Sequence, residues 1–369
     1  YDDPKGGALR EVLYARLRAH FQFHNELKLF TIGNQAKFSI NIYGEQKRES
    51  NFDLISNLYS PLTIDACYQH DGNGASGGVK NDKGEWNTAG HNDRIVRVSD
   101  GQLKVFAQLY DESGTPPRQA RLPSLHAGAL SSVLTKLAAY PRRLADLGDD
   151  YLSTVMFDET YAQRDGTICR RAVGDNGFVS TPENWVLSGP HFYLANPLYQ
   201  TPKRVCETHR AYDNVDLEAI QQDYLSRTNY YPKSDRSAFV AEIPMVRFGK
   251  AEDGSKAITD FYRVIHRRRL SQAGERTLIP AIAAPGTTHI NTVICSTFRD
   301  TQSMLAVCAS MVALTFDYFV KSTGQSDFTS GSMAFVPLID SLQAKARVLF
   351  LNSLTTHYAP LWVEVFDPA

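Results

Sequence analysis

Asp65, His70, Asp71, His91 and Asp93 fall within 29 residues of one another, and their oxygens and ring nitrogens could ligate a metal ion. No two of them stand at a ligand spacing such as HExxH or an EF-hand loop. The stretch that holds most of them, DGNGASGGVKNDKGEWNTAGHND at 71–93, is dense in glycine, asparagine and aspartate. Asx-rich turns use the same residue types, because their side chains satisfy nearby backbone groups. The segment therefore reads as a long surface loop and not as a metal centre. An independent metalloenzyme built on it is kept as a rival. Cys67, Cys169, Cys206, Cys295 and Cys308 form no CxxC pair and carry no nucleophile signature, and no GxSxG elbow is present. SGPHF offers His191 as a base, but a lone histidine beside aromatics reads first as a packed or capping residue. No catalytic residue and no metal ligand is assigned.

The tetrapeptide NPLY at 196–199 is similar in form to the (Asn/Asp/Ser)-Pro-Pro-aromatic motif of amino-methylating DNA enzymes. There the polar residue accepts hydrogen bonds from the target amino group and the ring stacks on an extruded base. Leu198 stands here where that motif has proline, and no apolar strand followed by a GxG loop is visible for a nucleoside cofactor. NPLY reads as a structural turn.

Basic residues carry the strongest local signal. Within 260–276, Arg263, Arg267, Arg268, Arg269 and Arg276 oppose only Asp260 and Glu275. The guanidinium fork suits bidentate pairing with phosphate or a guanine edge. On a helix three successive residues fan about 100° apart, so one or two would face a ligand while another pairs with an acid. A second stretch, YLSRTNYYPKSDR at 224–236, interleaves Arg227, Asn229, Tyr230, Tyr231, Lys233 and Arg236. That mixture suits backbone contact combined with base stacking. The competing reading of both stretches is a solvated face laced with internal salt bridges.

The elements that must position these groups follow from periodicity. GALREVLYARLRAHFQFHNEL predicts an amphipathic helix, and LKLFTIGNQAKFSINIYG a hairpin around Gly33-Asn34. RIVRVSDGQLKVFAQLYD predicts another hairpin around Asp100-Gly101, and residues 121–148 a helix broken at Pro141. Residues 150–250 predict short strands and long connections. TLIPAIAA and HINTVICSTF predict strands, followed by helices over about 300–318 and 340–355. The fold class expected is α/β (mixed α+β), with mixed sheets flanked by helices.

Composition sets the outer limits. A net charge of −1 and a pI near 6.9 give no global attraction to nucleic acid, so any such binding must come from a local patch. No run of about 18 apolar residues occurs. Scattered cysteines among apolar neighbours read as free thiols of a reducing compartment, and hence a cytoplasmic location. The chain opens YDDPKGG, with neither a starting methionine nor a secretory signal. It reads as an internal or C-terminal piece of a longer polypeptide.

With those segments in view, FYRVIHRRRLSQAGERTLIPAIAAPGTTHINTV resembles the C-terminal region of Eco57I-like N6-adenine DNA methyltransferases of restriction–modification and phage-defence systems. FHNELKLF…KFSINIYG, LSGPHFYLANPLYQTPKRVC, DYLSRTNYYP and LNSLTTHYAPLW look like further segments of large members, in the same order. The resemblance implies a TaqI-like specificity-domain character for the C-terminal part. It also implies a role in recognising duplex DNA for an upstream methyltransferase domain of the same polypeptide, which would bind S-adenosylmethionine. No cofactor is expected in this chain itself. Residues 1–150 would pack on that catalytic domain, and 151–369 would form the target-recognition region. Arg267, Arg268, Arg269, Arg276 and Lys233 would contact phosphates; Asn229, Tyr230 and Tyr231 would contact bases. The alternative is a protein–protein scaffold that joins other defence-system proteins without touching DNA.

Overall fold

The computed structural model of the chain describes residues 1–172, 174–175, 177–233, 235–249 and 254–366. The chain forms two compact units, one of residues 1–141, 272–277 and 318–325, the other of 142–271, 278–317 and 326–369. The fold is mixed α/β, with sheets flanked by helices.

The first unit begins with α1 (Gly7–Tyr14), β1 (Leu17–His24), β2 (Lys37–Tyr43) and β3 (Asn51–Leu58). It continues through α2 (Leu62–Gln69), β4 (Val96–Ser99), α3 (Asp100–Tyr110) and α4 (Ser131–Ala138). The sheet order is β2-β1-β3-β4, with β1 antiparallel to β2 and parallel to β3. Four expectations are corrected here. The opening helix ends at Tyr14, because Ala19, Phe21 and Phe23 repeat every second residue and meet Ile55, Leu58 and Cys67 in a sheet core. The hairpin within 28–43 is replaced by one between β1 and β2, with Phe23 opposite Phe38 and their rings stacked at 5.2 Å. Asp100-Gly101 opens a helix and not a turn: the Ser99 hydroxyl accepts from the Gln102 amide (3.4 Å), and α3 buries Leu103, Phe106 and Leu109. In 121–148 the α-helix is shorter than expected and covers only Ser131–Ala138.

The second unit starts with β5 (Tyr151–Thr154), α5 (Glu159–Arg164), β6 (Ile168–Arg170), β7 (Val186–Leu187), β8 (Gln200–Pro202), β9 (Tyr212–Asn214), β10 (Tyr230–Pro232) and α6 (Arg236–Ala241). Next come β11 (Met245–Val246), β12 (Lys256–Ala257), β13 (Arg263–Arg267), β14 (Pro280–Ala283), β15 (Thr288–His289) and β16 (Val293–Phe298). Helices α7 (Thr301–Val312), α8 (Leu314–Ser322), α9 (Ser330–Met333), α10 (Leu342–Asn352) and α11 (Ala359–Val365) close the chain, α8 leading into the first unit. The short strands of the middle region and the late strands and helices match their sequence signals.

The main sheet is antiparallel, in the order β14-β13-β16-β5. Ile265, Ala281, Ala283, Val293 and Cys295 share a core with Trp185 and Phe192. Helix α7 packs on this sheet; it is capped by Asp300, whose carboxylate accepts from the Ser303 amide (2.8 Å). The edge strand β14 is closed by side chains. Asn352 accepts from the Ile282 amide (2.7 Å) and Tyr358 donates to the Ile282 carbonyl (2.8 Å). An edge that would otherwise bury unpaired backbone groups is thereby satisfied. All five cysteines are free thiols. Among the described residues, no single helix is long and apolar enough to cross a membrane.

Buried histidines make stability depend on pH. Burial pushes His20, His24 and His126 of the first unit, and His191 and His266 of the second, down to about 4, and His289 to about 3. In an unfolded chain each would titrate at about 6.5. Between those values the unfolded chain binds more protons than the folded one, so stability falls as pH falls. The unfolding free energy from urea titrations should drop as pH is lowered from 7.5 to 5, by up to about 1.4 kcal/mol per pH unit for each histidine, and the midpoint with it. A midpoint that holds steady over this range would contradict neutral burial.

Candidate nucleic-acid interface

The run Arg267-Arg268-Arg269 leaves a strand, not a helix, and its three side chains separate. Arg263 and Arg267 begin and end β13 and share one face, because they stand four residues apart on a strand of period two. Arg263 is 0% exposed and donates to the Thr287 carbonyl. Arg267 donates through Nε to the Gly189 carbonyl (2.7 Å) and through Nη2 to the Phe192 carbonyl (2.6 Å). Its guanidinium also lies 5.9 Å from the Phe192 ring centroid and 5.7 Å from that of Tyr193. Burial lowers the pKa of both guanidinium groups, yet an arginine stays charged; two carbonyls solvate Arg267, while Arg263 has the Thr287 carbonyl alone, its Nε and Nη1 being buried with no hydrogen-bond partner among the described residues. Arg268 and Arg269 face Asp327 at 3.8 and 3.5 Å, and backbone bonds Leu270 N to Ser326 O and Phe328 N to Arg268 O hold that acid beneath them. Arg276 belongs to the first unit, where it is half-buried. The densest basic stretch is therefore largely turned to internal tasks. In this structure Arg263 offers no surface to a phosphate, and Arg267 has its donors on main-chain carbonyls. Arg269, with 70% of its side chain exposed, keeps the most open face of the five.

The second stretch builds a surface. Strands β6 and β10 pair antiparallel, with Arg170 opposite Tyr230 and Cys169 opposite Tyr231, and the Arg171 amide donates to the Asn229 carbonyl (2.8 Å). Beside them the β8–β9 hairpin carries Arg204, Cys206 and Glu207 in its loop. Arg170 donates to the Cys206 carbonyl (3.3 Å), which ties the loop to β6. The Asn229 amide donates to the Tyr212 hydroxyl (3.2 Å), fixing its orientation toward the same loop. Together Arg170, Arg171, Arg204, Cys206, Glu207 and Asn229 line an open pocket of about 330 Å³. Three guanidinium groups against one lining carboxylate leave it electropositive, although Glu159 takes part of the Arg170 charge at 4.0 Å. Aromatic rings flank it. The Arg171 guanidinium lies 5.6 Å from the Tyr231 ring centroid and that of Arg227 4.4 Å from Phe178. Tyr231 is 42% exposed and Phe178 56%.

Of the residues expected from sequence, Arg227, Asn229 and Tyr231 are brought to this surface. Tyr230 is not: it is 5% exposed and its hydroxyl donates to Glu159. Lys233 is exposed beyond the end of β10, and Arg236 is exposed at the start of α6, donating to the Glu183 carbonyl (3.1 Å). Arg170, Arg171 and Arg204 were missed. Their signals, the pairs Arg170-Arg171 and Lys203-Arg204, are short, and they lie 33 residues apart in a region without periodicity. NPLY is a turn in which the Asn196 side chain accepts from the Leu198 amide (2.9 Å) and Leu198 is buried. The loop histidines serve turns as well: His70 accepts from the Gly72 amide and His91 from the Asp93 amide, each at 3.0 Å.

No protein-family model matches the chain, and no curated protein matches it. The chemistry of the site rests on its own residues.

Replacing Arg267 by alanine removes two charge-assisted hydrogen bonds and leaves two carbonyls short of a donor. It should cost about 3 kcal/mol in a denaturant titration. Arg269→Ala should stay within about 0.5 kcal/mol of wild type, as exposed ion pairs contribute little. Equal losses in the two variants would refute this division of labour.

Proposed function

We propose that the chain is the target-recognition part of an S-adenosylmethionine-dependent N6-adenine DNA methyltransferase of a restriction–modification or phage-defence system. In this reading its second unit binds duplex DNA with the character of a TaqI-like specificity domain. The observation that carries the proposal is the meeting of Arg170, Arg171 and Arg204 with Asn229 beside the exposed rings of Tyr231 and Phe178. Guanidinium groups grip phosphates bidentately, an amide reads base edges, and exposed rings accept stacking. The ordered likeness of five segments to that enzyme group supports the same reading. Charge confined to one pocket suits a protein whose net charge is only −1.

The described residues do not fit the methyl donor. The glycines of 72–78 follow the end of α2 in a turn-rich stretch, with no strand leading in and no helix leading out. No step of methyl transfer is derived from this chain; in the proposal that chemistry belongs to another domain of the polypeptide.

Fluorescence anisotropy with a random-sequence duplex across a salt series tests the reading. Affinity should fall steeply with salt, and Arg170→Ala/Arg171→Ala/Arg204→Ala should reduce the log–log slope by about 0.9 for each phosphate that is no longer neutralised. Circular dichroism of the variant checks that it remains folded. Negligible, salt-insensitive binding by the folded wild-type chain would overturn the proposal and favour a scaffold that does not touch DNA.

A further inference from the structure

An open apolar pocket of about 340 Å³ lies at the closing helices of the second unit. The turn between α10 and α11 and the first turns of α11 build it, and Leu354, Tyr358, Ala359, Trp362 and Val363 supply most of its wall. Several contacts fix that wall. The Ser353 amide donates to the Leu349 carbonyl (3.0 Å) at the end of α10, and the fully buried Tyr358 anchors its hydroxyl on the Ile282 carbonyl. The Thr356 amide donates to the Gln222 carbonyl (2.8 Å), which brings Gln222 to the rim. The Trp362 ring is stacked on Phe366 with centroids 4.5 Å apart, and Phe350 meets it edge-on at 5.0 Å, so the indole is held from two sides.

Two hydroxyls in this wall have no task in the fold. Ser353 Oγ and Thr355 Oγ1 are buried without a hydrogen-bond partner among the described residues, and both residues line the pocket. Thr355 is only 7% exposed. It stands before the single helical turn Thr356–Tyr358, where a threonine hydroxyl ordinarily caps, yet its side chain makes no capping bond. A buried hydroxyl left unbonded costs stability, and most buried polar groups find a partner. No described lining residue carries a charge, so the complementary ligand is uncharged. A cavity of about 150 Å³ holds one benzene ring; this one has room for a substituted ring or two fused rings.

We infer that this pocket binds a small uncharged aromatic molecule with one hydrogen-bonding group, of the phenol or indole class. Its ring lies against Trp362 and Leu354, and its polar group meets Thr355 and Ser353. An apolar wall with a few placed polar groups is the general form of a small-molecule site. The pocket shares no lining residue with that of Arg170, Arg171 and Arg204, and the inference does not depend on DNA binding.

The probes are p-cresol and toluene, which share a methylated ring and differ by one hydroxyl. The chain has three tryptophans, so 5-fluorotryptophan labelling and 19F NMR give a resonance for Trp362, assigned with Trp362→Phe. p-Cresol should shift that resonance saturably and leave those of Trp86 and Trp185 in place. Thr355→Val conserves shape, and the extended backbone there (φ −135°, ψ 167°) suits valine. This variant should fold as wild type, bind p-cresol about fivefold more weakly and bind toluene unchanged. Thr355→Ser, which keeps the hydroxyl, should bind p-cresol as wild type does. Ala359→Phe, at an exposed lining position, should fill the pocket and abolish binding of both probes. Circular dichroism melts check the fold of each variant. The site would be overturned by a wild-type chain whose Trp362 resonance does not respond to p-cresol. It would equally be overturned by p-cresol affinity that is unchanged in Thr355→Val or that survives Ala359→Phe.

Discussion

Two hydrogen bonds from Arg267, to the carbonyls of Gly189 and Phe192, tie the main sheet of the second unit to the irregular region that carries the candidate site. That region has few long strands of its own, and its backbone must find partners elsewhere. From Gly189 and Phe192 the connections run on. The Ala195 amide donates to the Pro280 carbonyl (2.7 Å), and His191 meets the Arg227 carbonyl at 2.9 Å. Thr228 then donates to the Val186 carbonyl (2.7 Å). Arg227 and Asn229 are thus placed at the surface by a chain of bonds that begins at a half-buried cation.

Main-chain carbonyls are also the partners that the two arginines of the sheet meet. Arg263 and Arg267 lie on one face of β13, and the hydrogen bonds described for them end on main-chain carbonyls, not on carboxylates. A carbonyl dipole solvates a guanidinium without adding a second buried charge, which avoids part of the desolvation cost of an interior ion pair. The arrangement makes these residues poor candidates for ligand contact and strong candidates for architecture. Conversely Arg170, Arg171 and Arg204 line an open pocket, where a guanidinium can exchange water for phosphate at low cost.

Segments far apart in the second unit lock together through their side chains. Ile282 of TLIPAIAA is closed by Asn352 and Tyr358 of LNSLTTHYAP, while Arg267 of HRRRL grips LSGPHFYLA, whose His191 touches DYLSRTNYYP. Polar side chains that satisfy buried backbone groups are hard to replace, because each removal leaves an unpaired partner. Such residues are constrained by the fold whether or not the segment touches a ligand.

Local chemistry was legible along the chain. The late strands and helices could be read because apolar runs of the right length and flanking turns act within a few residues, and the mixed α/β class followed from them. The turn at NPLY and the Asx-rich loop were legible for the same reason. Tertiary structure alone decided that Leu17–His24 is a strand, since its partners Lys37–Tyr43 and Asn51–Leu58 lie well apart from it in the chain. It alone decided that Ser99 caps a helix, and that five neighbouring arginines divide among main-chain carbonyls, an acid at Asp327 and the first unit. It also assembled Arg170, Arg171, Arg204 and Asn229 from segments up to 59 residues apart. Charge density along a chain says how many cations there are. Which of them face water depends on backbone groups remote in sequence that compete for the same donors.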